Sequence, residues 1–161
     1  MSSSLVGSRL GKYEVRAEIG KGGMGVVYLV YDPLLERQVA IKVLAPHLAW
    51  EPGFVDRFLR EARAAARLKH RGIVTIYEVG QEASGSGPES WYYIVMEYLD
   101  GVTLAQQIQQ LGPFSSKRAL PILRQVAAAL DYAHQNGLIH RDVKPGNVVV
   151  DAAGRATLTD F

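Results

Sequence analysis

From Tyr13 onward apolar and polar residues alternate, with Tyr13, Val15, Ala17 and Ile19 on one side of a two-residue period, the pattern of a half-buried strand. Gly20-Lys21-Gly22-Gly23-Met24-Gly25 follows, and Val26 to Tyr31, rich in β-branched and aromatic residues, predicts a second strand. Strand, glycine turn and strand make a hairpin. Asp32-Pro33 opens a turn, and Gln38 to Leu44 predicts a third strand with Ala40, Lys42 and Leu44 on one face. Two more strands are expected, Ile73 to Val79 and Trp91 to Met96, joined across residues 80–90 by a Gly/Ser-rich connection that is long for a hairpin and expected to be mobile.

Residues 51–68 follow a different period. Successive residues about 100° apart line up Phe54, Phe58, Ala62, Ala65 and Leu68 in one stripe, with Glu61 inside it and Arg60, Arg63 and Arg67 opposite. Met96 to Gly101 reads as a connector and the best domain boundary. Beyond it, Thr103 to Gln110 predicts a short helix stopped by Gly112-Pro113. Ser115 or Ser116 can cap a longer helix reaching about Asn136, with Ile122, Val126, Leu130 and Ala133 at helical spacing. Pro121 is a misfit there, expected to remove one backbone hydrogen bond or to delay the helix start.

Composition narrows the class. With 161 residues, 48% of them hydrophobic, the chain can bury one modest core or form part of a larger protein. The 18 basic residues offset 16 acidic ones, so no basic surface dominates and nucleic acid is not an expected partner. Without cysteine there is neither a disulfide nor a thiolate metal site, and the histidines lack zinc spacing. The first ten residues do not read as a secretion signal, and no run is long enough to span a bilayer, so a cytoplasmic location is expected.

Four stretches carry candidate chemistry. Glycines let backbone N–H groups approach phosphate oxygens where a Cβ would intervene, although Gly20, Gly22 and Gly25 would equally suit a flexible hairpin turn. A dinucleotide-binding fold would need a helix after them, and Val26 to Tyr31 is β-rich. Lys42 is an ammonium inside an apolar run and calls for a partner or an anionic ligand, unless it lies on a strand edge in water. Glu61 is the matching inward acid, or else a rim carboxylate paired with Arg57 or Arg60. Finally, Leu138 to Val150 places Asp142, Lys144 and Asn147 in one loop between apolar runs: a base, a cation and a neutral oxygen ligand. Asp142 alone would also serve as a turn residue capping Lys144 or Asn147.

In order, the glycine hairpin, Lys42, Glu61, the connector, His140-Arg141-Asp142, Lys144, Asn147 and Asp160-Phe161 resemble a eukaryotic-like serine/threonine protein kinase of bacterial type over residues 12–161. The resemblance implies an α+β, protein-kinase-like fold. Residues 1–11 would be a flexible N-terminus, 12–98 a five-stranded antiparallel N-lobe with one helix, and 99–161 an incomplete, mainly helical C-lobe through the catalytic loop. It implies ATP and Mg²⁺, with the ATP γ-phosphoryl transferred to a protein Ser/Thr hydroxyl. Gly20, Lys21, Gly22, Gly23, Met24 and Gly25 would fold over the phosphates. Ile19, Val27 and Ala40 would roof the adenine above Val149, Met96 would be the gatekeeper, and backbone groups of Glu97 and Leu99 would pair the adenine edge. Lys42, oriented by Glu61, would hold the α and β phosphates. Asp142 would accept the hydroxyl proton, Lys144 would neutralise the transferred group and mark Ser/Thr specificity, and Asn147 and Asp160 would hold Mg²⁺. His140 and Phe161 would position the loop by packing, and Arg141 would receive an activation-loop phosphate.

The sequence stops at Phe161, where the family continues with a glycine. The chain is therefore expected to be the front of such a kinase, poorly stable and negligibly active alone. The alternative is a short non-catalytic nucleotide-binding or regulatory interaction module.

Overall fold

The computed structural model describes residues 5–83 and 90–161. The chain divides into two compact units, Met1–Arg63 with Ile76–Tyr98 and Ala64–Thr75 with Leu99–Phe161. Among the described residues no helix is long and apolar enough to cross a membrane.

The first unit is built on strands β1 (Arg9–Leu10), β2 (Tyr13–Gly22), β3 (Gly25–Asp32), β4 (Arg37–Leu44), β5 (Ile76–Ala83) and β6 (Ser90–Glu97). They form an antiparallel sheet in the order β1-β2-β3-β4-β6-β5. Alternation along β4 divides its residues between two cores. Val39, Ile41 and Val43 pack with Tyr13, Val15, Tyr28, Val30, Tyr93 and Val95, while Leu44 packs with Ile94 and with Phe58 and Ala62 of helix α2 (Phe54–Ala65). A four-residue helix α1 (Pro46–Ala49) precedes α2.

The expected flexible segment 1–11 needs correction where it is described. Gly11, at φ +56°, turns the chain so that Arg9 and Leu10 pair with Glu14 and Tyr13, and Leu10 is only 2% exposed in the core. The connection after Val79 is also shorter than expected, because β5 continues to Ala83; residues 84–89 lie outside the described residues.

The second unit pairs strands β7 (Gly101–Thr103), β8 (Val148–Asp151) and β9 (Ala156–Leu158) with helices α3 (Leu104–Leu111) and α4 (Ser116–Gln135). Thr103 begins α3 with a capping box: its hydroxyl accepts the Gln106 N–H at 3.2 Å and its own N–H donates to Gln106 Oε1 at 2.8 Å. Helix α4 starts at Ser116 and runs through Pro121, so the proline does not delay it. Its Ile122, Ala129 and Ala133 are buried with Val148, Val150, Ala156 and Leu158.

Two expected elements end differently because residues 64–75 belong to this second unit. Arg67 and Leu68 donate to the carbonyls three residues back, closing α2 at Ala65, and Leu68 is buried with α4 and β9. The strand expected from Ile73 starts only at Ile76. Ile73 instead bridges Leu158 in parallel, with Val74 N–H on Leu158 O at 2.9 Å and Leu158 N–H on Gly72 O at 2.8 Å.

Candidate active site

In the second unit, the chain leaving α4 turns at Gly137, at φ +77°, and leads into a loop tied to the residues after β9. The His140 ring is buried; Nδ1 accepts the Asp142 N–H at 3.2 Å, which leaves Nε2 to donate to Thr159 O at 2.7 Å. Phe161 packs edge-on against this ring with centroids 4.5 Å apart. Arg141 adopts φ +67°, an uncommon conformation for a non-glycine residue.

Asp142 is exposed and accepts from Lys144 Nζ at 2.7 Å and Asn147 Nδ2 at 3.0 Å, both on Oδ2. The Lys144 hydrogen bond, opposed by desolvation and aided by Asn147, holds the Asp142 carboxyl below its usual range. Asn147 is buried, and its Nδ2 also donates to Asp142 O at 2.8 Å.

Thr159 was not singled out by sequence reasoning, yet it joins both ends of this loop. Its N–H donates to Asn147 O at 2.9 Å and its carbonyl accepts the hydrogen bond from His140 Nε2. A threonine after a short strand carries no periodic signal; its place directly before Asp160-Phe161 was the available clue. Asp160 follows at φ +60°, a second left-handed non-glycine residue.

In the first unit, β2 and β3 pair as Gly20 with Val27, Lys21 with Val26 and Gly22 with Gly25, leaving Gly23-Met24 as the turn. A Cβ on Gly25 would lie 1.9 Å from Val43 O, so backbone packing alone demands that glycine. At Gly22 and Gly23 a Cβ would meet nothing within 4 Å. The bare backbone there faces open space of the kind that phosphate oxygens need.

Pairing of Val27 with Lys42, Lys42 with Ile94, and Ala40 with Leu29 and Met96 sets Val27, Ala40, Lys42 and Met96 on one face of the sheet. Ala40 and Met96 are buried, Lys42, Val27, Glu97 and Glu61 are half-buried, and Ile19 is exposed. The Phe58 and Ala62 contacts seat α2, and with it Glu61, against the sheet. Leu99 and Val149 belong to the second unit, where Val149 pairs with Thr103 and Thr157.

The oxygen donors fit Mg²⁺. Asn147 uses Nδ2 on Asp142, which leaves its amide oxygen as acceptor, and the Thr159 bonds tether the backbone leading to the Asp160 carboxylate. Among the described residues no three His, Cys, Asp or Glu side chains cluster as a metal cage. Mg²⁺ characteristically takes one or two protein ligands and completes its shell with phosphate oxygens and water.

Residues 13–161 match the protein kinase domain. The chain belongs to the protein kinase family. The serine/threonine-protein kinase PrkC of Bacillus subtilis is 45% identical over 158 residues, 98% of this chain and 24% of that protein. PknB of Mycobacterium tuberculosis is 45% identical over 150 residues, 93% of this chain and 24% of that protein. The chain thus spans about a quarter of the length of these curated relatives. Among solved structures, the M. tuberculosis PknI kinase domain superposes with a TM-score of 0.81 at 40% identity, over 96% of this chain and 60% of that one. The apo form of PpkA-294 gives 0.86 at 28% identity, over 99% and 62%. The expected kinase-like α+β fold is borne out, with β1 added to the five strands expected from the sequence.

Proposed function

We propose that this protein kinase domain transfers the γ-phosphoryl of ATP to a serine or threonine hydroxyl of a protein substrate, in the cytoplasm. The observation that carries the reading is the Asp142 carboxylate, exposed and ionised, with Lys144 at 2.7 Å and Asn147 at 3.0 Å. An exposed carboxylate kept charged by a neighbouring ammonium can accept the proton of an incoming hydroxyl. Lys144, two residues along the loop, neutralises charge on the transferred group and favours the shorter Ser/Thr hydroxyl.

Lys42 holds the α and β phosphates and Glu61 orients it, while the backbone N–H groups from Gly20 to Gly25 face the phosphate oxygens. Val27, Ala40 and Met96, with Ile19, Glu97, Leu99 and Val149, bind the adenine. Asn147 and Asp160 hold Mg²⁺, which supplies neutralisation of phosphate charge when bound. PrkC and PknB bear the name serine/threonine-protein kinase, which supports the same substrate class.

Transfer of labelled γ-phosphate to a Ser/Thr-containing protein tests the reading. Asp142→Asn is expected to lower transfer by at least about 10²-fold while nucleotide binding persists. Tight Mg-ATP binding by the unmodified protein without any transfer would favour the non-catalytic module instead.

A further inference from the structure

On helix α4 the Gln125 side chain bonds beyond its own helix, to the β8–β9 hairpin. Gln125, half-buried, donates from Nε2 to Gly154 O at 3.0 Å and to Pro121 O at 3.2 Å, and accepts the Ala156 N–H on Oε1 at 3.0 Å. The amide therefore meets a carbonyl and an N–H two residues apart on the β8–β9 hairpin, as a neighbouring strand's peptide group would.

The hairpin presents those two groups in a fixed arrangement. Asp151 Oδ1 accepts from Ala153 N–H at 3.0 Å and Arg155 N–H at 2.9 Å, and Gly154 completes the turn at φ +79°. Beyond the turn, Ala156, Thr157 and Leu158 are all buried, so β9 has little room to flex. At its far end Thr159 is bonded to Asn147 and His140, and Asp160 follows. The two residues assigned to Mg²⁺ thus stand at the open ends of a hairpin whose closed end is held by Gln125.

We infer that Gln125 is a positioning residue for Mg²⁺: by clamping the β8–β9 turn to α4 it sets the register of β9 and thereby the placement of Asp160 beside Asn147. The inference rests on the proposed metal-holding role of Asn147 and Asp160. It requires an amide, because the site needs a donor for Gly154 O and an acceptor for Ala156 N–H at once. A glutamate side chain would set an oxygen against the Gly154 carbonyl, and a methionine would fill the space with neither group.

The test is Mn²⁺ binding to the purified protein with a non-hydrolysable ATP analogue, followed by electron paramagnetic resonance, for the wild type, Gln125→Met, Gln125→Glu and Asp160→Ala. Both Gln125 variants are expected to bind Mn²⁺ about tenfold more weakly, as loss of a group supporting a metal ligand typically does. Wild-type Mn²⁺ affinity in the Gln125 variants, with a lowered melting temperature alone, would reduce Gln125 to a structural tether and overturn the inference. If Asp160→Ala also left Mn²⁺ binding unchanged, the metal-site assignment itself would fall, and this inference with it.

Should both Gln125 variants fail to fold, hydrogen exchange of the wild type decides. Linkage requires that metal binding stabilise the clamp in return. The Ala156 amide should therefore exchange at least about threefold more slowly with Mg²⁺ and the analogue than with analogue and chelator. Equal exchange rates would sink the proposal.

Discussion

Asp142, Lys144 and Asn147 lie within six residues of one another, so their types and spacing could be read directly, and their mutual bonds follow from a loop too short to separate them. Because the Lys144 hydrogen bond is the largest influence lowering the Asp142 pKa, Lys144→Met is expected to raise it toward the ordinary value. The bond from Asn147 would remain, so the return is partial. A carbon-detected NMR titration of the Asp142 carboxyl reads this directly, and an unchanged titration would refute the assignment. The sign for folding follows: a depressed carboxyl pKa contributes stability above its unfolded value, and that contribution fades as pH falls through the folded one. Thr159 and Gln125 were not legible at this scale, since neither residue type announces a role and both act on partners far along the chain.

Among the elements, the strands and the α2 stripe were legible because each is encoded by a period within ten or so residues. Phe58, Ala62 and Ala65 are buried as the stripe requires, whereas Leu68 lies past the end of α2 and is buried with α4 and β9 instead. Their ends were less legible: whether Ile73 joins β5 or sits beside β9 depends on partners that no local pattern names. The glycine hairpin separates two kinds of glycine. Gly25→Ala would drive a Cβ to 1.9 Å from Val43 O, and thermal melting should show a loss of about 1–3 kcal/mol, as overpacking does. Gly22→Ala meets no protein atom within 4 Å and should be neutral or up to about 1 kcal/mol stabilising, while weakening ATP-analogue binding. Equal melting of the two variants would contradict the assignment of Gly25 to packing.

Across the whole molecule, burial in the first unit sets a limit in alkali. Tyr13, Tyr28 and Tyr93 are each at most 5% exposed, and burial is the main reason all three phenols are held above their usual value of 10.0. Between that value and the folded ones, the unfolded chain sheds protons that the folded chain keeps, so stability falls as pH rises above about 10. Absorbance at 295 nm and circular dichroism followed together should show these three tyrosines ionising only as the unit unfolds. Reversible ionisation near pH 10 with the dichroism intact would contradict it.

The sequence by itself determined the order of the chemical groups, the alternating strands and the helical stripe, because these are properties of neighbours. Tertiary structure alone decided that residues 64–75 belong with the second unit. It also decided that Thr159 answers His140 across 19 residues, and that Gln125 answers Ala156 across 31. Such bonds form only after the chain has closed loops that cost conformational entropy, and packing of Leu158 and its neighbours around α4, not any local pattern, selects which loops close.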